Sequence, residues 1–196
     1  MDIKIDALND LRNLETSIVA TKNAGAEAQV AISYTVSEVH TISYFANMCK
    51  IIEDFGADSI CIKDMAGILT PFEAYELVRQ IRKVTSIPLE IHTHEITGMG
   101  SLTYLKSIEA GADIIDTAIS PFSGGTSQPA TETLYMVVKE MGYDTDLNIE
   151  VLEEIASYFE GIKNKYINNG ILPVKMLSID PKGLIYQIKL LQKRKT

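Results

Sequence analysis

Tryptophan is absent from this sequence, cysteine occurs twice and histidine three times. Each scarcity removes a class of protein. Two cysteines, Cys49 and Cys61, cannot build a disulfide framework, and their spacing fits no zinc knuckle. A reducing compartment, the cytoplasm, is therefore the expected location. A membrane span needs roughly 18 or more uninterrupted apolar residues, and no run here reaches that length, so none is expected. Nor does Met1-Asp2-Ile3-Lys4-Ile5-Asp6 have the form of a secretory leader. Positive charge is the scarcer sign: 18 Lys and Arg stand against 26 Asp and Glu, for a net charge of −8. Phosphate-backbone binding favours a basic footprint, so nucleic acid is not an expected partner.

What remains is ordinary globular material. The chain has 196 residues, 46% of them hydrophobic and 22% charged, which suits one domain. No linker interrupts it, so residues 1–196 are read as one domain. The length falls short of the roughly 250 residues of a complete (β/α)₈ barrel.

A degenerate repeat organises the chain. Gly25-Ala26-Glu27, Gly56-Ala57-Asp58 and Gly111-Ala112-Asp113 each follow a helix-like stretch and precede a short β-rich run. Glycine suits the left-handed position just past a helix end, so these read as helix-to-strand junctions. Strands are expected at Asp2–Ala7, Ala28–Thr35, Ser59–Lys63, Leu89–His94 and Asp113–Ala118. Helices are expected near Asn9–Asn23, Thr41–Asp54, Pro71–Val84 and Leu102–Ala110, then Ala130–Met141 and Leu147–Lys163. Thr70-Pro71-Phe72-Glu73 marks the third helix best, with a Thr cap, Pro in the first turn and Glu at the capping-box position. Its apolar stripe is Leu77, Val78, Ile81 and Val84. Alternating strands and helices imply an α/β fold with a parallel sheet.

Strand parity separates two faces. Val30, Ile32 and Tyr34 oppose Gln29, Ala31, Ser33 and Thr35. Ile60 and Ile62 oppose Ser59, Cys61 and Lys63. Leu89, Ile91 and Thr93 oppose Glu90, His92 and His94. The first face should pack on helices. In a barrel the second is the interior, and its last residues reach the C-terminal rim, where active sites of such folds lie.

Three features on that rim can carry chemistry. His92 and His94 form an H-x-H whose i, i+2 spacing puts both imidazoles on one strand face, roughly 7 Å apart at Cα. Two neutral imidazoles can share a divalent cation, or serve as rim histidines bonded to neighbours. Lys63 faces inward, which is costly for a lysine unless it is paired or modified. A Schiff base, an ion pair to Asp64 or another acid, and a metal-binding carbamate all remain open. The loop Ser120–Pro129 combines glycines, hydroxyls and an amide, which suits close approach to a ligand. It could instead bind phosphate at a helix start or be plain surface. His40, before a helix, is read as local capping or packing.

Four ordered segments make a resemblance specific: Asp6-Ala7-Leu8-Asn9-Asp10, Cys61-Ile62-Lys63-Asp64-Met65-Ala66-Gly67, Ile91-His92-Thr93-His94 and Thr126-Ser127-Gln128-Pro129. Together they resemble the carboxyltransferase domain of biotin-dependent enzymes, the group of oxaloacetate decarboxylase alpha subunits and pyruvate carboxylase B subunits. The likeness runs from about Met1 to Gln187, where Leu184-Ile185-Tyr186-Gln187 still match. It implies a (β/α)₈ barrel followed by helices, here the last five βα units over 1–143 and a helical C-terminal region over 144–196. It also implies a divalent metal, zinc or manganese, on His92, His94 and a carbamylated Lys63, with Lys63 also beside the substrate carbonyl. Thr126 would shuttle a proton between biotin and pyruvate, with Ser127 and Gln128 near substrate and biotin. The implied reaction is carboxyl transfer between oxaloacetate and biotin.

The implied partners are oxaloacetate or pyruvate, a biotin carrier domain on the same or another subunit, and a homodimer or complex with companion subunits. The family's barrel begins about three βα units earlier. The chain is thus expected to be an N-terminally truncated piece that lacks an aspartate ligand and a substrate arginine and needs completion for turnover. Two other readings stand beside this one: a non-catalytic fragment or assembly module, and a metal-dependent aldolase of the acyl-CoA lyase type, which also uses H-x-H on a barrel strand.

Overall fold

In the computed structural model, which describes residues 1–172, five parallel strands form one sheet in the order β1-β2-β3-β4-β5. These are β1 (Asp2–Asp6), β2 (Ala28–Ser33), β3 (Ser59–Asp64), β4 (Leu89–Thr93) and β5 (Ile114–Ile115). Helices α1 (Leu11–Asn23), α2 (Ile42–Asp54), α3 (Pro71–Ile81) and α4 (Gly100–Ala110) link them. Every crossover advances one strand in the same direction. A doubly wound sheet would reverse its order partway, whereas this monotonic order is that of an arc of a (β/α) barrel.

The core lies between the sheet and these helices. It joins Val30, Ile32, Ile60, Ile62, Leu89 and Ile91 to Ile18, Phe45, Ile52, Leu77, Val78 and Tyr104. The six strand residues are those that strand parity assigns to the apolar face. The opposite, concave face carries Gln29, Ala31 and Cys61, all buried, and ends at the rim in Lys63 and His92.

The three repeat glycines take the left-handed backbone, with φ of 75° at Gly25, 90° at Gly56 and 105° at Gly111. Behind two of them an aspartate performs the same task. Asp58 accepts from Ala28 N at 2.7 Å and pairs with Lys22 at 2.6 Å. Asp113 accepts from Leu89 N at 2.7 Å and pairs with Arg82. Each carboxylate therefore satisfies the first amide of the preceding strand and ties down the helix before it.

The elements differ from expectation at their ends. Asp10 caps α1, accepting from Arg12 N, so that helix begins at Leu11 rather than Asn9. The Thr cap of α3 forms, Thr70 Oγ1 accepting from Glu73 N at 3.3 Å, and the Glu73 carboxylate accepts from the Thr70 hydroxyl at 2.8 Å rather than from the main-chain N–H of a capping box. That helix ends at Ile81, and Val84 stands 38% exposed instead of completing the stripe. The start of α4 moves back to Gly100 because the half-buried Glu95 carboxylate accepts from Ser101 N at 3.0 Å and caps it from outside. Only Ile114–Ile115 of the expected fifth strand are paired: Asp113 turns its carboxylate back, and Ala118 bridges Ala130 instead.

Beyond β5, α5 (Thr131–Glu140) and α6 (Ile149–Asn168) follow, the second running five residues past the expected Lys163. Phe159 of α6 meets Phe122 edge-on, with ring centroids 5.8 Å apart. The part of the expected C-terminal region from residue 173 on, including Leu184-Ile185-Tyr186-Gln187, lies outside the described residues. Among the described residues no helix is long and apolar enough to cross a membrane.

Candidate functional site

Strand β4 delivers the two histidines. It ends at Thr93, so His94 falls just past the strand and opens a 3₁₀ turn at Glu95–Thr97. Its backbone stays extended, with φ −87° and ψ 144°, and this keeps His94 on the side of the sheet that parity assigns it. The two imidazole centroids lie 5.2 Å apart. A cation bound at 2.0–2.1 Å sits about 3.2 Å from an imidazole centroid, so two rings sharing one cation at a tetrahedral angle have centroids about 5 Å apart. The spacing therefore fits a shared cation.

The loop after β5 is fastened to this segment by three successive residues. The Thr126 carbonyl lies 2.7 Å from His94 Nδ1. The Ser127 carbonyl accepts from Glu95 N at 2.8 Å. Gln128 Nε2 lies 3.4 Å from His92 Nε2. A turn in which Ser127 N donates to the Gly124 carbonyl at 3.0 Å holds the loop, and Gly125 supplies a φ of 56° within it. The Thr126 side chain is exposed, while Ser127 and Gln128 are half-buried. At the start of α5 the Glu132 carboxylate reaches back and accepts from Ser120 N at 3.0 Å.

Lys63 is half-buried and directly opposite His92 in the β3–β4 register. The ion pair with Asp64, one of the alternatives left open, does not form. Strand alternation turns Asp64 to the other face, where it is fully buried. There it accepts from Ile68 N at 3.0 Å, Leu69 N at 2.8 Å and Thr93 Oγ1 at 2.8 Å. Burial pushes its carboxyl up despite those bonds. Among the described residues Lys63 makes no ion pair within 4.0 Å. Its charge acts on Asp116 and Cys61.

Close packing supports the rim from behind. Gly67 has a φ of 63°, and a Cβ there would lie 2.4 Å from the His94 carbonyl oxygen, so only glycine fits. Thr97 Oγ1 donates to the Gly67 carbonyl at 2.6 Å, and Thr103 Oγ1 donates to the Leu69 carbonyl at 2.8 Å.

Two acids escaped the sequence reading of the site. Asp116 Oδ2 lies 2.6 Å from His92 Nδ1, and Glu90 Oε2 accepts from Gln29 Nε2 at 2.8 Å on the concave face. Glu90, His92 and Asp116 present donor atoms within 4.8 Å of one another. The His92 bond holds the Asp116 carboxyl low, whereas burial pushes Glu90 up. Glu90 shares its inward parity with the histidines, a legible signal. Asp116 becomes visible only once β5 is set in register, with Ile115 opposite Ile91. His40 is local, as expected: its Nδ1 lies 2.6 Å from Ser37 Oγ and its ring meets Tyr44 edge-on.

Comparison with known proteins gives this geometry a context. Residues 1–158 match the protein family described as HMGL-like. The chain is 49% identical over 183 residues to the B subunit of Methanocaldococcus jannaschii pyruvate carboxylase, covering 93% of this chain and 32% of that protein. It is 39% identical over 163 residues to the methylmalonyl-CoA carboxyltransferase 5S subunit of Propionibacterium freudenreichii subsp. shermanii, covering 82% and 32% respectively. The solved carboxyl transferase domain of Rhizobium etli pyruvate carboxylase with pyruvate and biocytin superposes with a TM-score of 0.83 at 29% identity, covering 89% of this chain and 30% of that one. The chain thus spans about a third of the length of these relatives.

Proposed function

The chain belongs to the HMGL-like family, and on that premise we propose that it forms the metal-binding and proton-relaying part of a biotin-dependent carboxyltransferase acting on oxaloacetate and pyruvate. The observation that carries this reading is the fastening of the Thr126–Gln128 loop to the His92–Glu95 segment. It places a hydroxyl-bearing residue beside two imidazoles suited to a shared cation. A carbonyl oxygen can only accept, so His94 carries its hydrogen on Nδ1 and keeps the Nε2 lone pair for a metal.

His92, His94 and a carbamylated Lys63 would hold the zinc or manganese ion. Lys63 suits the third position because it faces His92 across the strands without an ion-pair partner of its own. The bound metal would supply Lewis-acid stabilisation of oxyanion charge at the substrate carbonyl. In the forward direction oxaloacetate loses its carboxylate to biotin N1 and leaves the pyruvate enolate. Thr126 Oγ1 takes the proton that biotin N1 gives up and passes it to the enolate carbon. Ser127 and Gln128 border the same space and orient substrate and biotin.

The names of the relatives, carboxylases and carboxyltransferases, favour carboxyl transfer over an acyl-CoA lyase reaction. The biotin would arrive on a carrier domain, and the companion subunits of such enzymes are the proposed partners. A closed barrel of this kind has eight strands. Both β1 and β5 have a free edge among the described residues, so we assign completion of the site to further strands.

The test is metal content by elemental mass spectrometry, for the purified chain alone and mixed with a separately expressed polypeptide carrying the remaining strands. Oxaloacetate decarboxylation with free biotin is then assayed. Near-stoichiometric zinc or manganese with biotin-stimulated turnover in the mixture is expected. No metal under either condition would overturn the proposal.

A further inference from the structure

The surroundings of His92 admit two placements of a cation. Glu90, His92 and Asp116 lie close enough to enclose one among themselves. A cation on the far side of the ring would instead be shared with His94. The hydrogen bonds choose between these. An ionised carboxylate only accepts, so the 2.6 Å contact between Asp116 Oδ2 and His92 Nδ1 puts the ring hydrogen on Nδ1. The lone pair is then on Nε2, the atom that faces Gln128 of the loop bound to His94. Both histidines thus have the same tautomer, one set by a main-chain carbonyl and the other by a side chain.

We propose that Asp116 is a positioning residue and not a metal ligand: it fixes the tautomer and orientation of His92 so that Nε2 is offered to a cation shared with His94, and Glu90 stands behind it as its support. The register supports this division. Asp116 directly follows Ile115, which pairs with Ile91, so it is the residue of the β5 segment beside His92. Glu90 precedes His92 on the same face, and its Oε2 is taken by Gln29 Nε2 at 2.8 Å. A ligating histidine generally gives its second ring N–H to such a partner, and loss of that partner typically costs 10–100-fold in metal affinity. The inference rests on the metal-binding reading above.

The experiment uses the full chain labelled with ¹⁵N-histidine and mixed with the unlabelled polypeptide that carries the remaining strands, in chelated buffer near pH 8, where a free imidazole is neutral. Two-bond ¹H–¹⁵N correlations assign the tautomer of each ring. Parent protein should show Nδ1–H on both His92 and His94. Asp116→Asn should move His92 toward Nε2–H, leave His94 unchanged and weaken zinc binding 10–100-fold. Asp116→Glu, which keeps the carboxylate, should retain the parent pattern. Added zinc should shift the Nε2 resonance of both rings. Zinc on His92 Nδ1, or Nε2–H on His92 in the parent, would overturn the proposal. So would an unchanged His92 pattern in Asp116→Asn. Should Asp116→Asn fail to fold, the parent spectrum and its zinc titration decide alone. Intact Nδ1–H patterns with no zinc-dependent shift would sink the metal reading and leave the assignment of Asp116 to His92 standing.

Discussion

Carboxylates occupy both ends of this sheet, and they do different work at each. At the N-terminal rim Asp58 and Asp113 take main-chain amides and a basic side chain from the preceding helix. At the C-terminal rim Asp116 takes the side chain of His92, and deeper on the same concave face Glu90 takes that of Gln29. An amide must be satisfied in every folded molecule, so the first kind of acid builds the fold. A side chain can be satisfied in several ways, so the second kind selects one geometry among several. Asp64 is the instructive mixed case. It sits at the C-terminal end of β3 yet takes the amides of Ile68 and Leu69, which makes it part of the scaffold.

The comparison breaks if changes at the two rims have the same consequences. Thr126→Ala, in the completed enzyme, should lower carboxyl transfer to biotin by about 10²–10⁴-fold while leaving metal content and Tm unchanged. Steady-state transfer assays with parallel elemental analysis check this, and metal loss would make Thr126 structural. Asp64→Ala should instead cost about 3 kcal/mol of stability by stranding buried amides, read from urea unfolding; a cost below about 1 kcal/mol would move Asp64 out of the scaffold.

Gly67→Ala should cross the divide. Its positive φ and the close His94 carbonyl predict a loss of about 2 kcal/mol together with weakened zinc binding. Denaturation and zinc titration of one preparation test both, and intact zinc affinity would show that the rim repacks without moving His94. The smallest effect belongs to Asp58. Its pair with Lys22 holds the folded carboxyl below its usual value. Its contribution is therefore full above about pH 4, the unfolded pKa, and is lost as pH falls through the folded one. The Tm gap between parent and Asp58→Asn, about 1–2 °C, should narrow between pH 6 and pH 3. A gap that widens on acidification would reverse the assignment.

Much of this could be read from local pattern. Alternation in Ala28–Ser33 and Ser59–Asp64 separates core from concave face, Thr70-Pro71 marks a helix start, and Gly25, Gly56 and Gly111 mark helix ends. The H-x-H was legible for the same reason, since its spacing is short, whereas the Thr126 loop took its expected role from the family resemblance. What escaped depends on where distant segments meet. Glu95 caps α4 only because the chain folds back onto it, and the amides that Asp64 takes reach it only through the turn that brings back Ile68 and Leu69. The partnership of Asp116 with His92 joins residues 24 positions apart. The fifth strand was drawn too long because β propensity cannot show that Asp113 is turned back toward Leu89.

The monotonic strand order also bears on how the chain acquires its fold. Each strand pairs with the one made just before it, as Asp2 with Ala28 and Ile60 with Leu89. Among the described residues no strand pairs with one made much later. Loop closure is therefore repeated at one modest length, not incurred once over a long span. The sheet can assemble vectorially as the chain emerges, each new βα unit docking on a finished edge. His92, Asp116 and Thr126 are then gathered only when β5 and the loop after it arrive, well after the strands that precede them have docked.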